Sequence, residues 1–184
     1  MPAHEDAPAA GFAAFFERHH QDLTRLAYLL TGDRDVAHDL ASDTFLAVWH
    51  QWSRVVTRDQ PLSYVRRIMV NQASTRIRRL TMERRSMPKL CADAREVTEL
   101  PDGAAVVDVR AALALLPTGR RNCVVLRFAF DLSERETAEV LGVTVGTVKS
   151  QTSRALADLQ RLLGPGDGPS VGALAGRVRQ DRSA

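Results

Sequence analysis

The segment Ser133 to Leu156, SERETAEVLGVTVGTVKSQTSRAL, leaves the chain few conformational choices. Ser133-x-x-Glu136 has the spacing of a capping box, in which a hydroxyl and a carboxylate satisfy the free amides that open a helix. A short helix over Glu134 to Leu141 follows from it. Gly142 then supplies the left-handed residue that ends this helix, a conformation glycine adopts without a Cβ clash. After the turn Gly142-Val143-Thr144, Thr144 can cap a second helix. Two helices joined by a tight glycine-containing turn make a helix-turn-helix. The small Ala138, four residues before the glycine, sits where the two helices must approach closely.

The second of these helices sorts its side chains. Val148, Thr152, Ala155, Leu156, Leu159 and Leu163 share one arc, while Gly146, Thr147, Ser150, Ser153 and Arg154 share the opposite one, with Lys149 and Gln151 on the flanks. Small residues at the N-terminal end let a backbone approach DNA. The hydroxyls, Lys149 and Arg154 then reach phosphates or base edges in the major groove. The plainer alternative is a surface hairpin with a solvated polar face.

Composition sets the frame for that motif. A chain of 184 residues, 45% hydrophobic, supports one medium domain or two small ones, and 5% aromatic content with abundant Ala and Leu favours helices over a β-sandwich. No apolar run approaches the roughly 20 residues that span a bilayer, and the acidic, polar start MPAHEDAPAAG is no secretory signal. A cytoplasmic chain without membrane insertion is expected. Cys91 and Cys123 lie far apart with no CxxC partner, which reads as reduced thiols rather than a disulfide or a zinc site.

Periodicity predicts an all-α fold. Phe12, Phe15, Phe16, His19, Leu23, Leu26, Ala27 and Leu30 recur at helical spacing up to a capping Gly32. Asp33 can open a second helix with the apolar face Val36, Ala37, Leu40, Ala41, Phe45, Val48, Trp49 and Trp52. A third starts at Pro61, with an inward stripe of Val65, Met69, Ala73, Ile77 and Leu80. These close a small domain over residues 10–85. Residues 86–108 carry prolines, lack sustained periodicity and read as a flexible linker. Helices over Val109–Leu116 and Arg120–Phe130 join the helix-turn-helix in a second domain, 109–163. The Gly- and Pro-containing tail, 164–184, is expected to be disordered.

Charge is segregated along this layout. From Pro61 to Arg85 seven arginines face one acid, Glu83, so this stretch carries more positive charge than the net +3 of the whole chain. The preceding helix carries Asp33, Asp35, Asp39 and Asp43 against Arg34. A basic block beside an acidic one suggests a polyanion-binding surface next to a protein-binding one. On the third helix Arg67, Asn71, Ser74 and Arg78 share a stripe opposite the apolar face. An arginine row alone could be soluble surface. An asparagine between arginines fits a single DNA strand better.

Catalysis finds no support. The chain has no GxxxxGK[ST] loop, GxGxxG, HExxH or Ser-His-Asp constellation, and no cofactor is expected. His19 and His20 beside Glu17 could suggest a metal, but His19 lies on the apolar helix face and reads as packed, so no metal site is expected.

LPTGRRNCVVLRFAFDLSERETAEVLGVTVGTVKSQTSRALADL closely resembles region four of extracytoplasmic-function (ECF) sigma factors, with GTVKS followed by SRAL as its most specific part. AYLLTGDRDVAHDLASDTFLAVW and PLSYVRRIMVN, followed by the arginine run, resemble region two. The likeness covers about residues 10–163 in the family's order, and AYLLTGDR is closest to small actinobacterial members.

The resemblance implies a sigma factor that binds core RNA polymerase through the β′ clamp helices and the β flap, recognises promoter DNA, and has an anti-sigma factor as a further candidate partner. It implies a polymerase contact at Asp35, Asp39, Ser42, Asp43 and Leu46. Here His38 stands where the family usually has Glu and Ser42 where it often has Gln, which puts details of that contact in question. It implies that Asn71, with the loop Ser53 to Gln60, holds a flipped minus-ten base, and that Arg67, Ser74 and Arg78 flank it. Tyr64 replaces a frequent Trp and reads as core rather than a stacking surface. Minus-thirty-five duplex contacts carry over to Thr147, Lys149, Ser150, Gln151, Ser153 and Arg154. Gln151 replaces a common Arg and Thr152 a common Leu, so promoter preference is expected to differ. The rival readings are a simple DNA-binding regulator, against which the acidic helix and the Arg/Asn stripe argue, and a nucleic-acid-processing enzyme, for which no active site is visible.

Overall fold

A computed structural model of the protein describes residues 6–86 and 104–163, and every regular element among them is helical. Helices α1 (Asp6–Thr31) and α2 (Arg34–Trp49) fold back on one another. Two paired ring contacts set their antiparallel register, Phe12 against Trp49 at 5.0 Å and Phe16 against Phe45 at 4.7 Å. The bend is built as its residues dictate. Gly32 takes φ +78° and donates to the Tyr28 carbonyl at 2.7 Å, and the Asp33 carboxylate accepts from the Val36 amide at 3.0 Å. A short helix α3 (Trp52–Val55) leads to α4 (Pro61–Ser86), whose Val65, Met69 and Ala73 are fully buried against the hairpin. Inside the hairpin Leu23, Leu26, Leu30 and Val48 are equally covered, each such side chain contributing about 1.5–3 kcal/mol on burial.

The second set comprises α5 (Ala104–Leu115), α6 (Thr118–Val124), a π-helical turn (Val125–Ala129), α7 (Glu134–Leu141) and α8 (Val145–Leu163). Both halves of the capping box are made: the Glu136 amide donates to Ser133 Oγ at 3.1 Å and the Ser133 amide to the Glu136 carboxylate at 2.7 Å. Gly142 adopts φ +66°, and Thr144 Oγ1 caps α8 by accepting from the Thr147 amide at 3.1 Å. Cys123, Ala138 and Val148 form the small core of this motif. Burial pushes the Cys123 thiol up to about 11, the behaviour of a packed thiol rather than a reactive one.

One buried charge joins the two sets. Arg121, 6% exposed, donates from Nη1 to the Leu30 carbonyl at 2.6 Å and from Nη2 to the Ala114 and Leu116 carbonyls at 2.7 and 3.2 Å. These acceptors lie at the C-terminal ends of α1 and α5, where carbonyls lack helical partners and the helix dipole is negative. The arginine thus serves as a common cap. Leucines and valines of both sets then share one continuous core.

Several expectations are modified. Helix α5 begins at Ala104, inside the 86–108 stretch assigned to the linker, and α4 extends through Ser86. Residues 87–103 with Cys91, and the tail 164–184, lie outside the described residues. The helix expected over Arg120–Phe130 starts at Thr118 and gives way at Val125 to the π turn. Nothing in VVLRFAF marks that change, because an uninterrupted apolar run has the same pattern in either helix. Asp131 (φ +52°) then reverses the chain, with the Arg127 guanidinium on the Leu132 carbonyl. Trp52 opens α3 instead of closing α2. Phe16, Trp49 and Leu80, assigned to apolar stripes, remain 40%, 43% and 41% exposed.

The capping box yields a stability prediction. Ser133→Ala should cost about 1 kcal/mol in urea denaturation. Hydrogen bonding to the Ser133 side chain and amide, in that order, holds the Glu136 carboxyl below its ordinary value. Its contribution is therefore complete above the unfolded carboxylate pKa, about 4.3, and is lost as pH falls through the lower folded value. A Glu136→Gln variant should show a smaller acid-side loss of stability than the parent.

Candidate nucleic-acid and protein interfaces

The α2 face emerges because the opposite side of the helix is consumed by the core. Ala37, Leu40, Ala41, Thr44, Phe45 and Val48 are buried, so Asp35, Asp39, Ser42, Asp43 and Leu46 all stand exposed. The buried Thr44 hydroxyl reaches the Gln72 side-chain oxygen at 2.7 Å and pins α2 to α4. Asp39 faces Arg76 of α4 at 3.7 Å; such an exposed pair is worth little, so the acidic surface stays available. Trp49 continues the same stripe at three- and four-residue spacing. With Phe16 and Leu46 (56% exposed) it puts an apolar patch beside the acids. The sequence reading placed Trp49 in the core, since a tryptophan at an apolar position gives no sign of being left uncovered.

On α4 the four stripe residues meet different surroundings. Arg67, Asn71 and Arg78 are exposed, whereas Ser74 is half-buried and its hydroxyl accepts from Asn122 Nδ2 of α6 at 3.2 Å. Arg67 lies against the helix-turn-helix: a Cβ at Gly142 would come within 3.1 Å of Arg67 Nη2. The adjacent Arg66 is half-buried, which lowers its pKa, while Asp22 and Glu136 act in the opposite sense. Its guanidinium and that of Arg25 both approach the Phe130 ring, at 5.7 and 5.6 Å. Phe130, carried on the residue after the π turn, therefore bridges to α1 and α4 through two cations. Arg110 of α5 reaches the Tyr28 hydroxyl of α1 at 3.3 Å.

The α8 face is presented as the arcs required. Val148, Ala155 and Leu159 are buried, and Lys149, Ser150, Ser153 and Arg154 are exposed, with Thr147 and Gln151 half-exposed. Asp158 anchors the far end to Arg120 of α6 and to Arg161. The face is partly self-satisfied: Thr147 Oγ1 bonds Thr144 Oγ1 at 2.9 Å, Ser150 Oγ donates to the Thr147 carbonyl at 3.0 Å, and Lys149 Nζ sits 3.6 Å from Glu134 of α7. No cluster of His, Cys, Asp and Glu among the described residues could hold a metal ion. His19 packs against Phe15 at 4.6 Å, and burial, chiefly, lowers its pKa.

Comparison with known proteins fits this division. Residues 15–82 match the sigma-70 region 2 family and residues 107–159 the sigma-70 region 4 family. The chain is 35% identical over 169 residues to the ECF RNA polymerase sigma factor SigM of Mycobacterium tuberculosis, covering 89% of this chain and 83% of that protein. It is 33% identical over 153 residues to the RNA polymerase sigma-E factor of Streptomyces coelicolor, covering 80% and 84%. Among solved structures, the fold is similar to the sigma factor RpoE in complex with the anti-sigma factor NepR from Bartonella quintana, with TM-score 0.66, 24% identity, and 83% and 96% of the two chains covered. It is also similar to CnrH in complex with the cytosolic domain of CnrY, with TM-score 0.58, 26% identity, and 84% and 88% covered. Two region matches in order and relatives spanning nearly the whole chain lead to one conclusion: the chain belongs to the ECF RNA polymerase sigma factors of the sigma-70 family, which are transcription initiation factors.

Proposed function

We propose that this chain binds core RNA polymerase through the α2 face, captures minus-thirty-five duplex with α8, holds a melted minus-ten strand on α4, and so directs transcription from its own set of promoters without catalysis of its own. The β′ clamp helices meet Asp35, Asp39, Ser42, Asp43 and Leu46, with Trp49 as an apolar anchor of the kind that concentrates binding energy. The β flap meets the second domain. The observation that carries this reading is the persistence of exposed acids on α2 and exposed Lys149, Ser150, Ser153 and Arg154 on α8 after both helices have buried their apolar faces. Thr147 and Gln151 complete the duplex contact; Arg67, Ser74 and Arg78 flank Asn71 on the opened strand. Action on core polymerase makes the chain cytoplasmic. An anti-sigma factor is a further partner, supported by the solved complexes of similar folds.

This function requires the two domains to part. Helices packed side by side have axes about 8–10 Å apart, and α4 contacts α7, the companion of α8. The two promoter elements lie about 25 positions apart, about 85 Å of duplex at 3.4 Å per step. The packed arrangement thus represents the unengaged protein. Its polar contacts at Ser74–Asn122, Arg121–Leu30, Arg110–Tyr28 and around Phe130 are among those that must open.

Reconstitution with core polymerase tests the reading: the chain alone should be inert and the holoenzyme promoter-specific. Asp39→Lys with Asp43→Lys should abolish holoenzyme assembly while shifting stability by no more than about 0.5 kcal/mol; a folded double mutant that binds core normally would reject the α2 assignment. Asn71→Ala should leave minus-thirty-five duplex binding intact and impair opening of a fully duplex promoter. Arg154→Ala should weaken duplex capture and, at a phosphate contact, lower the salt slope by about one.

Closure has its own test. At 5.6 and 5.7 Å the two cations of Phe130 lie near the outer limit of useful range, worth about 0.5–1 kcal/mol each. Phe130→Ala, with native helicity by circular dichroism, should expand the free chain in small-angle scattering and associate with core polymerase faster. A compact variant with an unchanged association rate would show that these contacts do not hold the domains together.

A further inference from the structure

The three acids of α7 have three different partners. Glu136 closes the capping box with Ser133, and Glu139 pairs with Arg135 on its own helix at 3.2 Å. Glu134 instead reaches across the turn to α8, where its Oε2 lies 3.6 Å from Lys149 Nζ. Lys149 stands exposed on the face assigned to duplex, and the half-buried Glu134 borders that face. Arg154, the second cation assigned to the duplex, makes no ion pair among the described residues. The two cations therefore start from different states, one already facing an anion and one not. An exposed pair of this kind adds little to folding stability. Its effect falls on whatever else approaches the lysine.

We propose that Glu134 is a specificity-determining residue of the duplex-reading surface, withholding Lys149 from phosphates and leaving it to a base edge. This rests on the reading of α8 as the duplex-reading helix and adds to it a residue of α7. A phosphate approaching Lys149 exchanges one anion for another and brings its own charge against the Glu134 carboxylate, so little is gained. A base edge acts differently. An ammonium carries three donors; one can stay with Glu134 while the others reach paired acceptors such as N7 and O6 of guanine. The correct duplex thus keeps the ion pair, and a duplex offering only phosphates at that position must break it. Arg154, without an acidic partner, supplies the sequence-independent grip.

The experiment measures holoenzyme affinity for three kinds of short duplex. These are the minus-thirty-five sequence that wild-type holoenzyme selects from a random pool, its single-base-pair substitutions, and a scrambled duplex, with core polymerase alone as background. Glu134→Gln keeps the size and helix propensity of the side chain, and thermal unfolding checks its fold. It should bind the scrambled duplex about 2- to 5-fold tighter, with a salt dependence steeper by about one. It should also lose discrimination at the base pair where Lys149→Ala loses it. With Lys149→Ala already present, Glu134→Gln should no longer alter discrimination. Equal tightening on every duplex would overturn the proposal, since the carboxylate would then act by repulsion alone. So would wild-type behaviour of Glu134→Gln, or a Lys149→Ala variant that weakens every duplex alike. Arg154→Ala separates this proposal from the reading beneath it. If Arg154→Ala weakens selected duplex while Glu134→Gln behaves as wild type, only the role of Glu134 fails. If Arg154→Ala, Lys149→Ala and Glu134→Gln all bind as wild type, the assignment of α8 to the duplex fails, and the proposal with it.

Discussion

The guanidinium of Arg121 is the contact on which the arrangement of the chain depends. Buried with no carboxylate partner among the described residues, it donates from its two terminal nitrogens to three main-chain carbonyls from the ends of α1 and α5, while its Nε finds no acceptor among the described residues. An arginine stays charged under these conditions, and its desolvation is offset because each acceptor lies at the negative end of a helix. Two of the three bonds stay within the second domain. The third, to Leu30, crosses to the first. In the proposed opening, parting the domains therefore costs one of the three bonds.

Around this cap the interface is mixed in character. Apolar side chains from both domains form a single core, but the contacts at its margin are polar or cationic: Asn122 to Ser74, Arg110 to Tyr28, and Phe130 between Arg25 and Arg66. The buried Oδ1 of Asn122 finds no partner among the described residues; in the proposed opening, water would satisfy it and lower the cost of separation. Such a boundary resembles a transient interface more than the interior of a domain. Its placement matters as much as its strength, because it partly covers Ser74 and sets the exposed Arg67 beside Gly142, two of the four stripe residues proposed to meet the opened strand, while leaving the α2 and α8 faces exposed.

Local chemistry made much of this legible in advance. Ser133 and Glu136 announce their capping box, Gly142 its left-handed turn, Gly32 and Asp33 the bend between α1 and α2, and Pro61 the start of α4, because each depends on groups within four residues of one another. The opposed arcs of α8 and the acidic face of α2 followed from helical period for the same reason. The family resemblance added roles to those faces that periodicity could not.

Tertiary structure alone decided the rest. Whether Trp49 is core or surface depends on how far α1 reaches along α2, and its 43% exposure reflects neighbours distant in sequence. Whether Ser74 meets DNA or Asn122, and whether Tyr64 is a core ring or the floor beneath Arg58, turn on residues 48 positions away in one case and six in the other, brought together by packing. The sequence by itself determined the long helices, their caps and the polarity of their faces, all consequences of short-range hydrogen bonding and a 3.6-residue period, but not α3 or the π turn. Only the assembled fold decided which polar faces remain open, because covering a face requires a partner surface, and no local pattern specifies where that partner will lie.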